Sequence, residues 1–323
     1  MQAMIARFLE LVDIKDGTLL DAAVMTEDGL EEWRFERANT CENSHSSTKL
    51  FTSVCIGMLW DEGVLSLNEK AAGLFPDLWP ADMDPRWHDV TVENALRHEI
   101  GFEDSGVDLE GEAPCGGGET DPLTLIFGAK IVHEPGTFYK YSDAAFYLLS
   151  RVVEQKTGMT LEQFIRRRLG VPMGFRDFAL ASCPMGHSMG GGCLYMRAGD
   201  MVKLGYMLAC GGLYGGRRIL SQAYIDRMRE RCYALNHYRE TGGGKGIVPE
   251  EYIRVLRERE GPNYRESEIL IKTGAYGQGI AFSGRHRVAA AWHRTAYCDY
   301  PDPDRNSVTL RAFEALIRER LGA

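Results

Sequence analysis

Strand-forming patterns lie at the two ends of this chain and helical ones fill the middle, so a sheet made here has to be assembled from both termini. Residues 22–36, "AAVMTEDGLEEWRFE", read as two short strands joined at Asp28-Gly29, a pair suited to a hairpin turn. After residue 265 a strand-like period returns in "SEILIKTGAYG", "QGIAFSG" and "RHRVAAAWHR", with a turn at Ser283-Gly284, and a last helix runs from about Asp304 to Leu321. Between them, "DAAFYLLSRVVEQKTG", "AGDMVKLGYMLACGG" and "SQAYIDRMRERCYAL" read as helices, and glycine runs at 116–118, 190–192 and 242–244 punctuate the loops. The expected architecture is α/β of the α+β type. Residues 1–75 and 265–323 would form one antiparallel sheet flanked by helices, residues 76–264 an inserted, mainly helical domain, and the site would lie in the cleft between them.

With 323 residues, 44% of them hydrophobic, the chain can bury a large core. A net charge of −9 and the absence of a dense Lys/Arg cluster argue against nucleic acid and anionic lipid as partners. No stretch approaches a membrane span, and "MQAMIARFLELVDIKDG" has neither the basic nor the continuous apolar region of a secretory signal. Cys41, Cys55, Cys115, Cys183, Cys193, Cys210, Cys232 and Cys298 form no CxxC pair, which fits reduced thiols and a cytoplasmic location. The histidines include no HExxH pair, so neither a metal nor another cofactor is expected. "TGGGKGI" lacks the spacing and the Ser/Thr of a phosphate-binding loop.

Chemistry enters at residues 45–60, "HSSTKLFTSVCIGMLW", where Leu50, Phe51, Val54, Cys55, Met58 and Leu59 recur at helical spacing and Gly63 supplies a stop. Ser46 and Lys49 head this apolar helix and share a face. A serine hydroxyl needs a base within hydrogen-bond reach to act as a nucleophile. Burial would push Lys49 toward its neutral form, in which it can accept a proton. The plainer alternative makes Ser46 a helix cap and lets Lys49 snorkel to solvent.

Other segments extend the pattern. "EPGTFYKYSDAAFYLLSRVVEQKTGMTLEQFIRRRLGVPMGF" (134–175), "VTVENALRHEIGF", "GGGCLYMRAGDMVKLGYML" and "IKTGAYGQG" follow the Ser-x-x-Lys segment in the order and spacing of one family. The chain resembles the serine β-lactamase and penicillin-binding-protein superfamily, most closely its class C β-lactamase and esterase branch. The resemblance implies Ser46 as acylated nucleophile, Lys49 as its partner and Tyr141 as the second proton-transfer group. It also implies that Lys272, Thr273 and Gly274 lie on a strand edging the site, with the amides of Ser46 and Ala275 as the oxyanion hole. Lys272 beside Lys49 and Tyr141 would lower both of their pKa values. The substrate implied is a small amide, lactam or ester.

Asp143 stands where the family pattern has asparagine. A carboxylate there would favour the ammonium form of Lys49 and weaken it as a base, unless it holds Lys49 or Lys272 in place. A catalytically impaired, ligand-binding member of the family is therefore the second reading. Two decoys accompany it. Ser142-Asp143-Ala144 matches two positions of Ser-Asp-Asn, and Lys156-Thr157-Gly158 duplicates Lys272-Thr273-Gly274 but closes a helix as a glycine cap would. A third reading uses "GHSMG", Gly186 to Gly190, as the nucleophile elbow of an α/β-hydrolase, with Ser188, Asp226 or Asp299, and His293 in order. Pro184 before it and Gly191-Gly192 after it argue for a loop instead of the strand–turn–helix this elbow needs.

Overall fold

A computed structural model describes residues 3–12, 18–103, 107, 109, 120–231, 233–234, 269–295 and 305–321. Cys115, Cys232, Cys298, Asp299, the glycine runs at 116–118 and 242–244, and the 241–247 stretch lie outside the described residues. The chain opens with α1 (Met4–Val12) and a hairpin of β1 (Leu19–Thr26) and β2 (Gly29–Arg34), followed by β3 (Glu42–Asn43) and α2 (Thr48–Asp61). The middle holds α3 (Val92–Leu96), α4 (Pro122–Phe127), α5 (Asp143–Thr157), α6 (Leu161–Ile165) and α7 (Val171–Met173). Next come β4 (Phe178–Leu180), β5 (Leu194–Met196), α8 (Ala198–Ala209), β6 (Leu213–Tyr214), β7 (Arg217–Arg218) and α9 (Gln222–Arg231). The chain ends with β8 (Leu270–Thr273), β9 (Gly279–Ser283), β10 (Val288–Arg294) and α10 (Arg305–Leu321).

The sheet built from both ends is present. Its five described strands run β2-β1-β10-β9-β8, every neighbouring pair antiparallel. β1 meets β10 in the middle, so residues from opposite ends of the chain, such as Ala22 and Trp292, sit side by side. The hairpin closes at Glu27-Asp28, with Thr26 opposite Gly29, and Gly29 takes the φ of +129° that the turn requires. The turn between β9 and β10 spans 284–287 and is wider than the Ser283-Gly284 pair expected.

Successive residues of a strand face opposite sides, and here both sides are covered. Val288, Ala290 and Trp292 of β10 join Phe8 and Val12 of α1 and Phe313 and Leu316 of α10 in one apolar layer. Ala289 and Ala291 face the larger core on the other side. There α8, from within the stretch 76–264 read as a separate helical domain, packs on β1, β9 and β10. Gly205 makes this possible, because a Cβ there would lie 2.8 Å from Ile280 Cγ2 and 3.2 Å from Ala289 Cβ.

α2 is apolar on all sides and buried from Thr48 to Leu59, the signature of a central helix. Each large apolar side chain it buries contributes about 1.5–3 kcal/mol, so packing and not capping holds it in place. A second sheet, β3-β5-β4, was not visible in the sequence pattern. Its strands are two or three residues long, too short for a period to register. β3 leads directly into the turn before α2, so this sheet sets where Ser46 begins.

Candidate active site

Ser46 lies in a single 3₁₀ turn, His45–Ser47, between β3 and α2. Ser47, not Ser46, is the residue before α2, and its side chain makes no capping bond. Lys49 is fully buried and does not snorkel. Both halves of the plainer sequence reading therefore fail. The turn is anchored from three sides. The Ser44 N–H donates to the Leu194 carbonyl at 2.8 Å, His45 N–H to Asn43 Oδ1 at 2.8 Å, and Thr48 Oγ1 to the His45 carbonyl at 2.6 Å.

Around the Ser46 hydroxyl the expected side chains converge. Tyr141 donates its phenol proton to Ser46 Oγ at 2.7 Å, and Lys49 Nζ is 3.4 Å from the same oxygen. Lys49 Nζ lies 4.7 Å and Lys272 Nζ 5.7 Å from the centre of the Tyr141 ring. Asp143, the first residue of α5, forms an ion pair with Lys49. Ser142 is the cap of α5, accepting the Ala145 N–H, and is buried, so the serine of the Ser-Asp-Asn alignment serves the helix end, while Tyr141 bonds to Ser46 Oγ. Lys156-Thr157-Gly158 closes α5 with Gly158 at φ +68°.

The expectation that Lys49 is the group driven neutral is corrected by this geometry. An ammonium has three N–H donors, and those of Lys49 have three acceptors: Asp143 Oδ1, the Gly191 carbonyl at 2.6 Å, and Ser46 Oγ. Burial works to lower its pKa, but the charge of Asp143, aided by Tyr141, outweighs burial and holds Lys49 above its ordinary range as a fixed cation. Tyr141 is shifted upward, chiefly by burial, with Lys49 opposing in part, so the phenolate is not the resting form. The cation that can lose its charge is Lys272. Burial first and the charge of Lys49 second bring it down to about 7, with Asp143 pulling the other way.

This carries a prediction about β8. Below about pH 7 the folded protein carries a buried ammonium at Lys272. Between about 7 and the ordinary 10.5 the unfolded chain holds a proton there that the folded one has released, so this group makes stability rise with pH across that window. Lys272→Met removes the burial cost, which raises Tm at neutral pH and flattens that rise, while kcat/KM falls about 10²-fold. Thermal melts from pH 6 to 10 beside ester kinetics test it; an unchanged Tm with full activity would show that the amine has neither role.

Gly274, just after β8, faces the His45–Ser47 turn. A Cβ at this position would lie 2.5 Å from the Ser44 carbonyl oxygen, 3.1 Å from His45 Cβ and 3.2 Å from the Ser46 nitrogen. The requirement is steric, since its φ of −111° suits any residue. The closeness sets the edge of β8 against the amide of Ser46, with Ala275 exposed at the rim and Thr273 largely buried beside it. We expect Gly274→Ala to push the strand from the turn and lower kcat about 10²-fold with a small change in KM, as steady-state kinetics would show. Wild-type kcat would mean that this contact does not position the site.

Strained backbone gathers here. His45, His98 and Tyr276 all have positive φ, at 45°, 58° and 61°, and each adjoins or packs against a candidate site residue. His45 and Tyr276 also meet edge to face, centroids 5.1 Å apart. The glycine run 190–192 threads along α5. A Cβ at Gly190 would fall 2.1 Å from the Phe146 carbonyl oxygen, and one at Gly191 would fall 2.8 Å from Asp143 Oδ1.

The elbow reading does not survive the coordinates. Ser188 is 4% exposed in the loop between β4 and β5, where its hydroxyl accepts the Glu162 N–H at 3.1 Å. His293 is nowhere in that network. Its Nδ1 lies 2.6 Å from Asp21 Oδ1 and its Nε2 3.1 Å from Ser44 Oγ, while Asp21 Oδ2 accepts the Ala198 N–H at 2.8 Å. This Ser44–His293–Asp21 chain is buried from end to end and ties the central strands to the segment that leads into the His45–Ser47 turn. Sequence reading missed it because its members lie up to 272 residues apart.

A five-stranded antiparallel sheet flanked by helices, with a Ser-x-x-Lys turn against one edge, is the arrangement of hydrolases of the serine β-lactamase and esterase type. Residues 6–311 match the beta-lactamase family, and the chain belongs to it. It is 25% identical over 237 residues to penicillin-binding protein 4 of Amycolatopsis lactamdurans, spanning 63% of this chain and 61% of that one. Across the first curated relatives the match spans 37–61% of their length. A family VIII carboxylesterase superposes with a TM-score of 0.71 at 20% identity, covering 98% of both chains. A penicillin-binding protein homologue from Caulobacter crescentus does so with a TM-score of 0.70 at 18% identity, also over 98% of each. At these identities the structural likeness is one of fold. Among the described residues no helix is long and apolar enough to cross a membrane, and no group of His, Cys, Asp and Glu is placed to hold a metal ion.

Proposed function

We propose that the protein hydrolyses a small amide, lactam or ester through an acyl-enzyme on Ser46. The observation that carries this reading is the meeting at one oxygen of the Tyr141 phenol and the Lys49 ammonium, with Lys272 beside the same ring. Above about pH 7 this group of side chains can take up one more proton, because Lys272 is neutral. Ser46 supplies that proton as it attacks the acyl carbon: its O–H proton passes to the Tyr141 oxygen, and the phenol's own proton is taken up toward Lys272. The phenol with a neutral amine, the resting arrangement, and the phenolate with an ammonium differ only in where one proton sits; the fixed charge of Lys49 stabilises the phenolate and opposes the ammonium. The developing oxyanion would be met by the amides of Ser46 and Ala275. Collapse of the intermediate returns the proton to the leaving group. Water, deprotonated by the same route, then releases the acyl chain. No nucleic acid, membrane or cofactor takes part, and the scattered thiols favour a reducing, cytoplasmic setting.

A specific observation supports a second reading. Asp143 holds Lys49 as an ammonium, which suits a protein that binds such ligands without turning them over. Intact-mass measurement after incubation with a fluorophosphonate and a panel of short esters, penicillins and D-peptides separates the two. Catalysis predicts a single adduct, mapped by digestion to the peptide holding Ser46. Saturable binding with no mass increase would establish the binding protein, and an adduct at Ser188 the elbow.

A further inference from the structure

One residue grips the chain on both sides of Tyr141. His98 follows α3 in the left-handed region, φ +58°, and is 2% exposed. Its carbonyl oxygen accepts the N–H of Lys140 at 2.8 Å, and its Nδ1 accepts the N–H of Ser142 at 3.1 Å. Its ring stacks on the Tyr141 phenol, centroids 4.6 Å apart and planes 29° from parallel. Phe146 and Tyr139 enclose the imidazole, at 4.9 and 5.9 Å. The bond from Ser142 fixes the tautomer, because Nδ1 can accept only if it carries no proton. An extended or α-helical His98 would aim its carbonyl elsewhere, so the left-handed backbone is what lets main chain and side chain address the two neighbours of Tyr141 together. The segment so held continues into Asp143, the partner of Lys49.

We infer that His98 is the positioning residue of the proton relay: by binding the amides at 140 and 142 and stacking under the ring, it sets the Tyr141 hydroxyl against Ser46 Oγ. The inference rests on the reading of Tyr141 as the relay. Proton transfer across 2.7 Å tolerates little displacement, so a small drift of the phenol slows chemistry more than it weakens substrate binding.

A double-mutant cycle on the full chain tests this with kcat, KM and the rate of fluorophosphonate labelling. His98→Asn keeps a residue at ease with positive φ and an acceptor near the Nδ1 position but removes the stacked ring. His98→Leu removes ring and acceptor together. We expect kcat to fall about tenfold in His98→Asn and about 10²-fold in His98→Leu, KM staying within about twofold. On a Tyr141→Phe background neither change should slow labelling further, whereas a merely structural role would slow both backgrounds by the same factor. Where His98→Leu fails to fold, His98→Asn alone carries the comparison. An inactive Tyr141→Phe with wild-type rates in the His98 variants, or additive losses, overturns this inference and leaves the relay standing. Wild-type rates in Tyr141→Phe overturn both.

Discussion

Ser46→Ala is expected to abolish the fluorophosphonate adduct and to lower kcat for an activated ester by about 10⁵-fold or more, with Tm almost unchanged. Ser46 Oγ is the acceptor of Tyr141 at 2.7 Å and lies 3.4 Å from Lys49 Nζ, so removing it deletes the proposed attacking atom and leaves the surrounding groups in place. The other hydroxyls of the segment are committed elsewhere. Ser44 faces His293, Thr48 donates to the His45 carbonyl, and Ser47 is buried with its hydroxyl toward the Lys272 carbonyl at 3.3 Å. Ser46 itself is only partly buried, and alanine suits a 3₁₀ turn, so the loss cannot be ascribed to unfolding. Intact mass, a thermal melt and ester turnover on one preparation decide it. An adduct persisting in Ser46→Ala would move the nucleophile to another residue.

How far the sequence could be read depended on the distance over which each signal acts. The α2 helix, the β1–β2 hairpin, whose turn falls at Glu27-Asp28, one residue before the Asp28-Gly29 pair expected, the β9–β10 pair and the glycine cap at Gly158 are set by neighbours in the chain and are visible there. Ser46, Lys49, Tyr141 and Lys272 were identifiable because their motifs keep the order and spacing of a family, although no local period joins them. What stayed hidden was electrostatic and long-range. Burial alone made Lys49 the obvious candidate for a neutral amine. Which lysine is neutral depends on how Asp143 and the Gly191 carbonyl are arranged around it, and both come from elsewhere in the chain. His98 is legible only as part of "VTVENALRHEIGF", because the two amides it accepts are more than forty residues away. The buried chain from Asp21 to Ser44 through His293 is hidden for the same reason.

Tyr141→Phe should lower kcat about 10³-fold, slowing acylation and deacylation alike, because in the proposed mechanism both steps move a proton to or from Ser46 oxygen or water through the same phenol. The substitution deletes one atom and keeps the ring. Packing against His98 at 4.6 Å and the contact with Lys49 Nζ at 4.7 Å therefore persist, and stability should change little. The fall should be steeper than that of Lys272→Met, since Tyr141 bonds to Ser46 Oγ whereas Lys272 sits 5.7 Å from the ring centre and in the proposed relay only accepts what the phenol passes on. The two variants also differ in pH dependence. Wild-type kcat/KM should rise with pH through about 7 as Lys272 gives up its proton, because only then can the relay take one. Lys272→Met should lose this limb. Tyr141→Phe keeps the amine, yet with no hydroxyl to connect it to Ser46 its residual rate should be flat across the same range. Stopped-flow acylation and steady-state kcat from pH 5.5 to 9 would measure both. A Tyr141→Phe enzyme that retains the full limb at about 7 would place Lys272 in direct contact with the serine proton and remove tyrosine from the path.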